Sequence, residues 1–168
     1  MPAPYLPPVP APAAPVAALS TAEGFVIACL RLRAARLPHG PDWRDGFAAA
    51  GVSPEGAAAF DAFFRIVEAA APDMLRPRCP RCATLGHDEV LVLRLIGLLQ
   101  RGSADEAAAV LSHWLCPTAR RMALLPAEGL AAALAASGLR LPHRHAAAAS
   151  WEATAAGGYA DRGLGLVH

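Results

Sequence analysis

Two short clusters hold the residues best suited to chemistry: Cys79-Pro80-Arg81-Cys82 and His113-Trp114-Leu115-Cys116. Thirty residues separate them. A Cys-x2-Cys turn brings two thiolates together. Residues three apart on a helix project to the same side, so His113 and Cys116 can chelate as a second pair. Three sulfurs and one imidazole match the closed, tetrahedral shell of a structural zinc site. His87 is an alternative fourth ligand.

The intervening residues must deliver the two pairs to one place. Asp88 to Arg101 is apolar on nearly its whole circumference, as a buried helix is. Gly102 ends it, and Ser103-Ala104-Asp105-Glu106 is a capping box that starts a return helix predicted to run to about Leu115. Lengths of about 21 Å and about 18 Å at 1.5 Å per residue are similar. A connection as short as Gly102-Ser103 makes the helices antiparallel neighbours, so the second pair returns to the first.

Rival readings of the cysteines remain open. Cys-Pro-Arg-Cys resembles a dithiol redox centre, although such centres follow a strand and none is predicted here. An iron–sulfur cluster would use Cys79, Cys82 and Cys116 with Cys29 or a histidine. Cys29 also reads as a small core residue on the Phe25–Leu32 face of its helix. A fourth reading leaves the cysteines packed and His113 at a helix C-terminus. Arg76, Arg78 and Arg81 crowd the first pair, where they would neutralise a thiolate–metal site or contact phosphate.

Other segments frame this centre. Residues 1–19 hold seven prolines and no charge, an extended and disordered leader lacking the basic start of a secretory signal. Ser20-Thr21-Ala22-Glu23 is a capping box opening a helix to about Leu37, with Phe25, Cys29, Leu32 and Arg36 on one side. Asp42 to Ala50 repeats the pattern in miniature. Ser53-Pro54 opens a helix whose Phe60, Phe63, Phe64 and Val67 form a core stripe. After Pro117, a short segment leads to Pro126, and a last helix ends at Gly138. Residues 142–168 lack periodicity and read as a tail.

The fold expected is all-α: one bundle of five or six helices over residues 20–141, with a central buried hairpin stapled by the metal knuckle. Catalysis has little support: a four-ligand zinc leaves no position for water, and Glu89 becomes a conceivable base only if a ligand is missing. His39, His143 and His145 have no serine or carboxylate at telling spacing. All fifteen basic residues are arginine, yet net charge is +1, which argues against a generally electrostatic nucleic-acid binder. No segment is apolar for the roughly 18 residues a membrane span needs. The expectation is a cytoplasmic, non-enzymatic accessory protein with a structural zinc and a protein partner. A nucleic-acid-binding regulator using the arginine cluster is an alternative.

From Asp88 to Pro142 the order of features resembles the middle of the NifQ family. The matching elements are Asp88-Glu89-Val90 leading a Leu-rich helix, an Ala-rich helix closing on Cys116, and Gly129-Leu130 to Leu141-Pro142. Gly51-Val52-Ser53-Pro54 is similar as well. That resemblance implies a metallocentre assembly factor that handles molybdenum or iron–sulfur for nitrogen fixation. The chain lacks that family's C-terminal cysteine cluster and its His-Leu-Trp stretch, so no functional residue transfers.

Overall fold

Local capping chemistry places the helix starts. A computed structural model describes residues 13–37, 40–71 and 75–142. In it the Ser20 hydroxyl accepts from the Glu23 N–H while the Glu23 carboxylate accepts from the Ser20 N–H, closing the predicted capping box of α1 (Thr21–Ala35). Asp42 caps α2 (Trp43–Ala49), and Ser53 caps α3 (Pro54–Ala70) with proline at its first position. Then follow α4 (His87–Gln100), α5 (Ala104–Leu111) and α6 (Pro117–Ala136). No strand occurs among the described residues, and no helix there is long and apolar enough to cross a membrane. The described residues form a small all-α bundle of six α-helices.

Its centre is α4. Val90, Leu91, Val92, Leu93, Leu95, Ile96 and Leu98 are all buried, so the helix meets neighbours on every side, as its sequence predicts. It packs on α1, α5 and α6. A second part of the core is aromatic. Phe25, Trp43, Phe47, Phe60, Phe64 and Phe63 form a chain of ring contacts with centroids 4.8–5.5 Å apart, locking α1, α2 and α3 together. Helix α1 turns Val26, Ile27 and Leu30 fully inward, whereas Phe25 and Leu32 of the expected face are only half-buried.

Three expectations about the second half fail. Helix α5 starts after Ser103, but the Ser103 side chain makes no cap hydrogen bond, so the expected capping box does not form. Helix α5 stops at Leu111 instead of about Leu115, because Cys116 serves as the N-cap of the next helix and Pro117 occupies its first position. Helix α6 then runs unbroken through Pro126, where a helix start was expected. Ala123, Ala127, Leu130 and Leu134 are buried on both sides of that proline. The acceptor that Pro126 leaves without its helical partner belongs to Met122, which is 61% exposed, so water can reach it. Helix α6 packs chiefly on α3, so closely that a Cβ at Gly56 would overlap Ala133.

The chain ends are pinned where they are described. Gln100 at the end of α4 donates to Leu139 O (3.0 Å) and accepts from Leu141 N (2.8 Å). Residues 13–19, expected to be part of a loose leader, are tied down. Ala13 N donates to Leu85 O, Leu85 N to Ala14 O, and Val16 N to Ala83 O, at 2.8–2.9 Å. The proline-rich segment makes no ladder of its own and supplies partners to backbone that would otherwise lack them. Residues 1–12 and 143–168, the remainder of the predicted leader and tail, lie outside the described residues, as do Pro38, His39, Pro72 and Asp73.

The folding-back of α5 onto α4 is as expected. The end of the return segment reaches the start of the rod, where Trp114 Nε1 donates to Asp88 Oδ1 at 3.0 Å. Replacing Trp114 with Phe removes a hydrogen bond to a carboxylate and is expected to cost about 1.5–3 kcal/mol. Urea unfolding should show a lower midpoint with an unchanged slope.

Candidate functional site: the cysteine loop and its buried clamp

The loop from Leu75 to Gly86 contains the first cysteine pair and no regular helix or strand, so its backbone groups need partners from elsewhere. Arg31 of α1 and Glu89 of α4 supply most of them. They form a two-bonded pair at 2.7 and 2.9 Å, with side chains 3% and 0% exposed. Two further guanidinium N–H groups donate to the carbonyls of Cys82 and Thr84. The Glu89 carboxylate also accepts from Arg78 N at 3.0 Å and Gly86 N at 2.7 Å. Its neighbour Asp88 accepts from Arg76 N at 2.9 Å and from Trp114. Thus the loop is held at Arg76, Arg78, Cys82, Thr84 and Gly86.

Burial alone would raise the pKa of Glu89. The Arg31 hydrogen bonds, the Gly86 and Arg78 N–H groups and the Arg31 charge outweigh it, so its pKa lies below the ordinary 4.5. A carboxylate with this many donors and no exposed surface has no free lone pair to act as a base. The conceivable catalytic role of Glu89 is therefore set aside by its geometry.

Within this frame Cys79 and Cys82 are joined as a disulfide, their Cα atoms 5.4 Å apart, with Cys82 N donating to Cys79 O across the turn. Cys79 is exposed and Cys82 half-buried. The structure joins this pair, and the second pair does not gather around it. His113 lies beyond the end of α5, exposed, with Nδ1 3.0 Å from Val110 O. Cys116 is exposed at the start of α6, and His87 is exposed at the start of α4. Among the described residues no three His, Cys, Asp or Glu side chains gather as a metal would require. His113 and Cys116 cannot share a helical face because α5 ends before either. Two sulfurs make half of a tetrahedral zinc shell, so the donors present do not fit the four-ligand site read from the sequence.

The other two thiols differ sharply. Cys29 is buried, as its core reading predicts, and burial pushes its pKa up to about 12. The Cys116 thiol is held below its ordinary value chiefly by the Ala119 N–H, which together with the Thr118 N–H, its own N–H and the Arg120 charge outweighs the opposing effect of desolvation.

The residue that spacing did not reveal is Arg31. Its signal was available: a charged side chain beside Ile27 and Leu30, on the buried side of α1. Its partner, 58 positions away, was not.

No protein family, curated protein or solved structure matches this chain.

Two outcomes check this description. Glu89→Gln leaves Arg31 buried without its counter-charge and is expected to cost about 3–5 kcal/mol. Because the folded pKa of Glu89 is depressed, its contribution is complete above 4.5 and is lost as pH falls through the lower folded value. The acid limb of wild-type stability, followed by calorimetry, should flatten in Glu89→Gln. Alkylation of the native protein should modify Cys116 at once and Cys29 only at the rate of global unfolding, read by mass spectrometry.

Proposed function

We propose that this chain is a non-enzymatic accessory protein that works through Cys79 and Cys82, presented together to a protein partner. One observation carries the reading. The two sulfurs sit side by side at the surface, on a loop held by Arg31, Glu89 and Asp88 rather than by the sulfurs themselves. Their bond can open without loss of the frame. A thiol reductant such as glutathione supplies two electrons and two protons, leaving two thiols and its own disulfide. In a cytoplasmic setting the pair stands reduced. It then offers two soft ligands to a zinc ion whose remaining ligands the partner contributes.

A metallocentre assembly factor, holding iron–sulfur or molybdenum for delivery, is the second reading. It is favoured by Cys116, an exposed free thiol with a depressed pKa. It agrees with the NifQ-like order of features.

Anaerobic purification from cells under a thiol reductant, followed by elemental analysis, tests both. The accessory reading expects colourless protein retaining zinc together with a stoichiometric partner, both lost in the Cys79→Ser/Cys82→Ser variant. Visible charge-transfer absorption that disappears in the same variant selects the assembly reading. Metal and partner retained by that variant, or neither held by the wild type, would overturn the role of the pair.

A further inference from the structure

Away from the cysteine loop, the C-terminal end of α1, the start of α2 and the middle of α3 enclose an open cleft of about 590 Å3. That is the size of a small-metabolite site. Four arginines line it: Arg33, Arg36, Arg44 and Arg65. Three carboxylates, Asp42, Asp61 and Glu68, share it, so the lining carries four positive charges against three negative.

The carboxylates are unevenly used. Arg33, with its side chain 9% exposed, reaches Asp61 at 3.1 Å, bonds Glu68 and lies over the Phe64 ring. It forms a fixed floor shared between two acids, and the one negative charge it leaves uncompensated faces Arg36 and Arg44. The other three guanidiniums are poorly engaged. Arg36 is 75% exposed and stands 3.4 Å from Glu68. Arg44 is 58% exposed, and its nearest carboxylate oxygens are 3.6 and 4.0 Å away. Arg65 is exposed and makes no hydrogen bond or ion pair with any described residue. Stacking over Trp43, at 4.4 Å from the ring centroid, restrains the Arg44 guanidinium without using its donors.

The backbone adds an independent observation. Helix α1 ends on Arg36 at φ 45°, ψ 47°, the left-handed conformation that glycine adopts without strain at helix C-termini. A long branched-tip side chain kept there at an energetic cost is the pattern of a position held for function rather than stability. The strained residue is also one of the three under-used guanidiniums of the cleft.

We propose that this cleft binds a small organic oxyanion, a carboxylate or a phosphate ester, through Arg36, Arg44 and Arg65 above the Arg33 floor. Guanidinium forks match both groups. The acids around Arg33 keep the lining from becoming a general polyanion surface and limit the ligand to one or two charges.

The test uses the whole chain and titration calorimetry with inorganic phosphate and with malonate, at fixed ionic strength against chloride. Saturable binding of either probe is expected; a preference for phosphate marks a phosphoryl ligand and a preference for malonate a carboxylate. Arg65→Ala should weaken that binding about tenfold with no change in Tm, since it breaks no ion pair. Arg36→Gly should bind about tenfold more weakly yet melt at a higher temperature, because glycine relieves the left-handed strain. Absence of saturable binding by the wild type, or wild-type affinity in both variants, would overturn the proposal. Neither result depends on the state of Cys79 and Cys82.

Discussion

The buried pair of Arg31 and Glu89 is the constraint on which this molecule is arranged. Removing two charges from water costs several kcal/mol per ion before their attraction is counted. That cost is met here by saturation. The guanidinium bonds both Glu89 oxygens and two carbonyls, and the carboxylate takes two further N–H groups. No buried side-chain nitrogen or oxygen among the described residues lacks a partner. Leu85 is the one fully buried apolar side chain of the loop, so hydrophobic packing alone could not order it. The ion pair does what a second core would otherwise have to do.

The first turn of α4 becomes the hub of that end of the protein. Asp88 and Glu89 sit where a helix favours negative charge, because its unpaired N–H groups point that way. Each carboxylate faces away from its own helix as well. Glu89 reaches α1 and both arms of the cysteine loop, and Asp88 reaches Arg76 and the Trp114 ring that closes the α4–α5 hairpin. A single helical turn thus joins elements from residues 31 to 114.

Helix α1 separates two roles by its pitch. At about 100° per residue, Arg31 and Arg33 point to widely different sides. Arg31 enters the interior and holds the cysteine loop. Arg33 and Arg36 turn toward α3 and form one wall of the charged cleft. Three arginines within six residues, similar on paper, therefore meet three environments: sealed, semi-buried and solvent-facing.

Much of this architecture is legible in the sequence because it is local. Ser20, Asp42 and Ser53 announce helix starts through hydrogen bonds closed within two or three residues, and the apolar circumference of 88–101 announces a buried rod. The short Gly102-Ser103 link likewise foretells the hairpin. Contacts between distant segments decided the rest. Proline signals a break at Pro126, yet burial of Ala123, Ala127 and Leu130 on both sides of it carries the helix through. His113 and Cys116 have chelating spacing, but that matters only on one continuous helix, and Cys116 is taken as the cap of α6. Arg31 meets Glu89 because α1 and α4 pack together, and no spacing rule spans 58 residues. Local chemistry sets where helices begin; the pairing of buried charges, and hence which reactive groups stand together, exists only once the helices have docked.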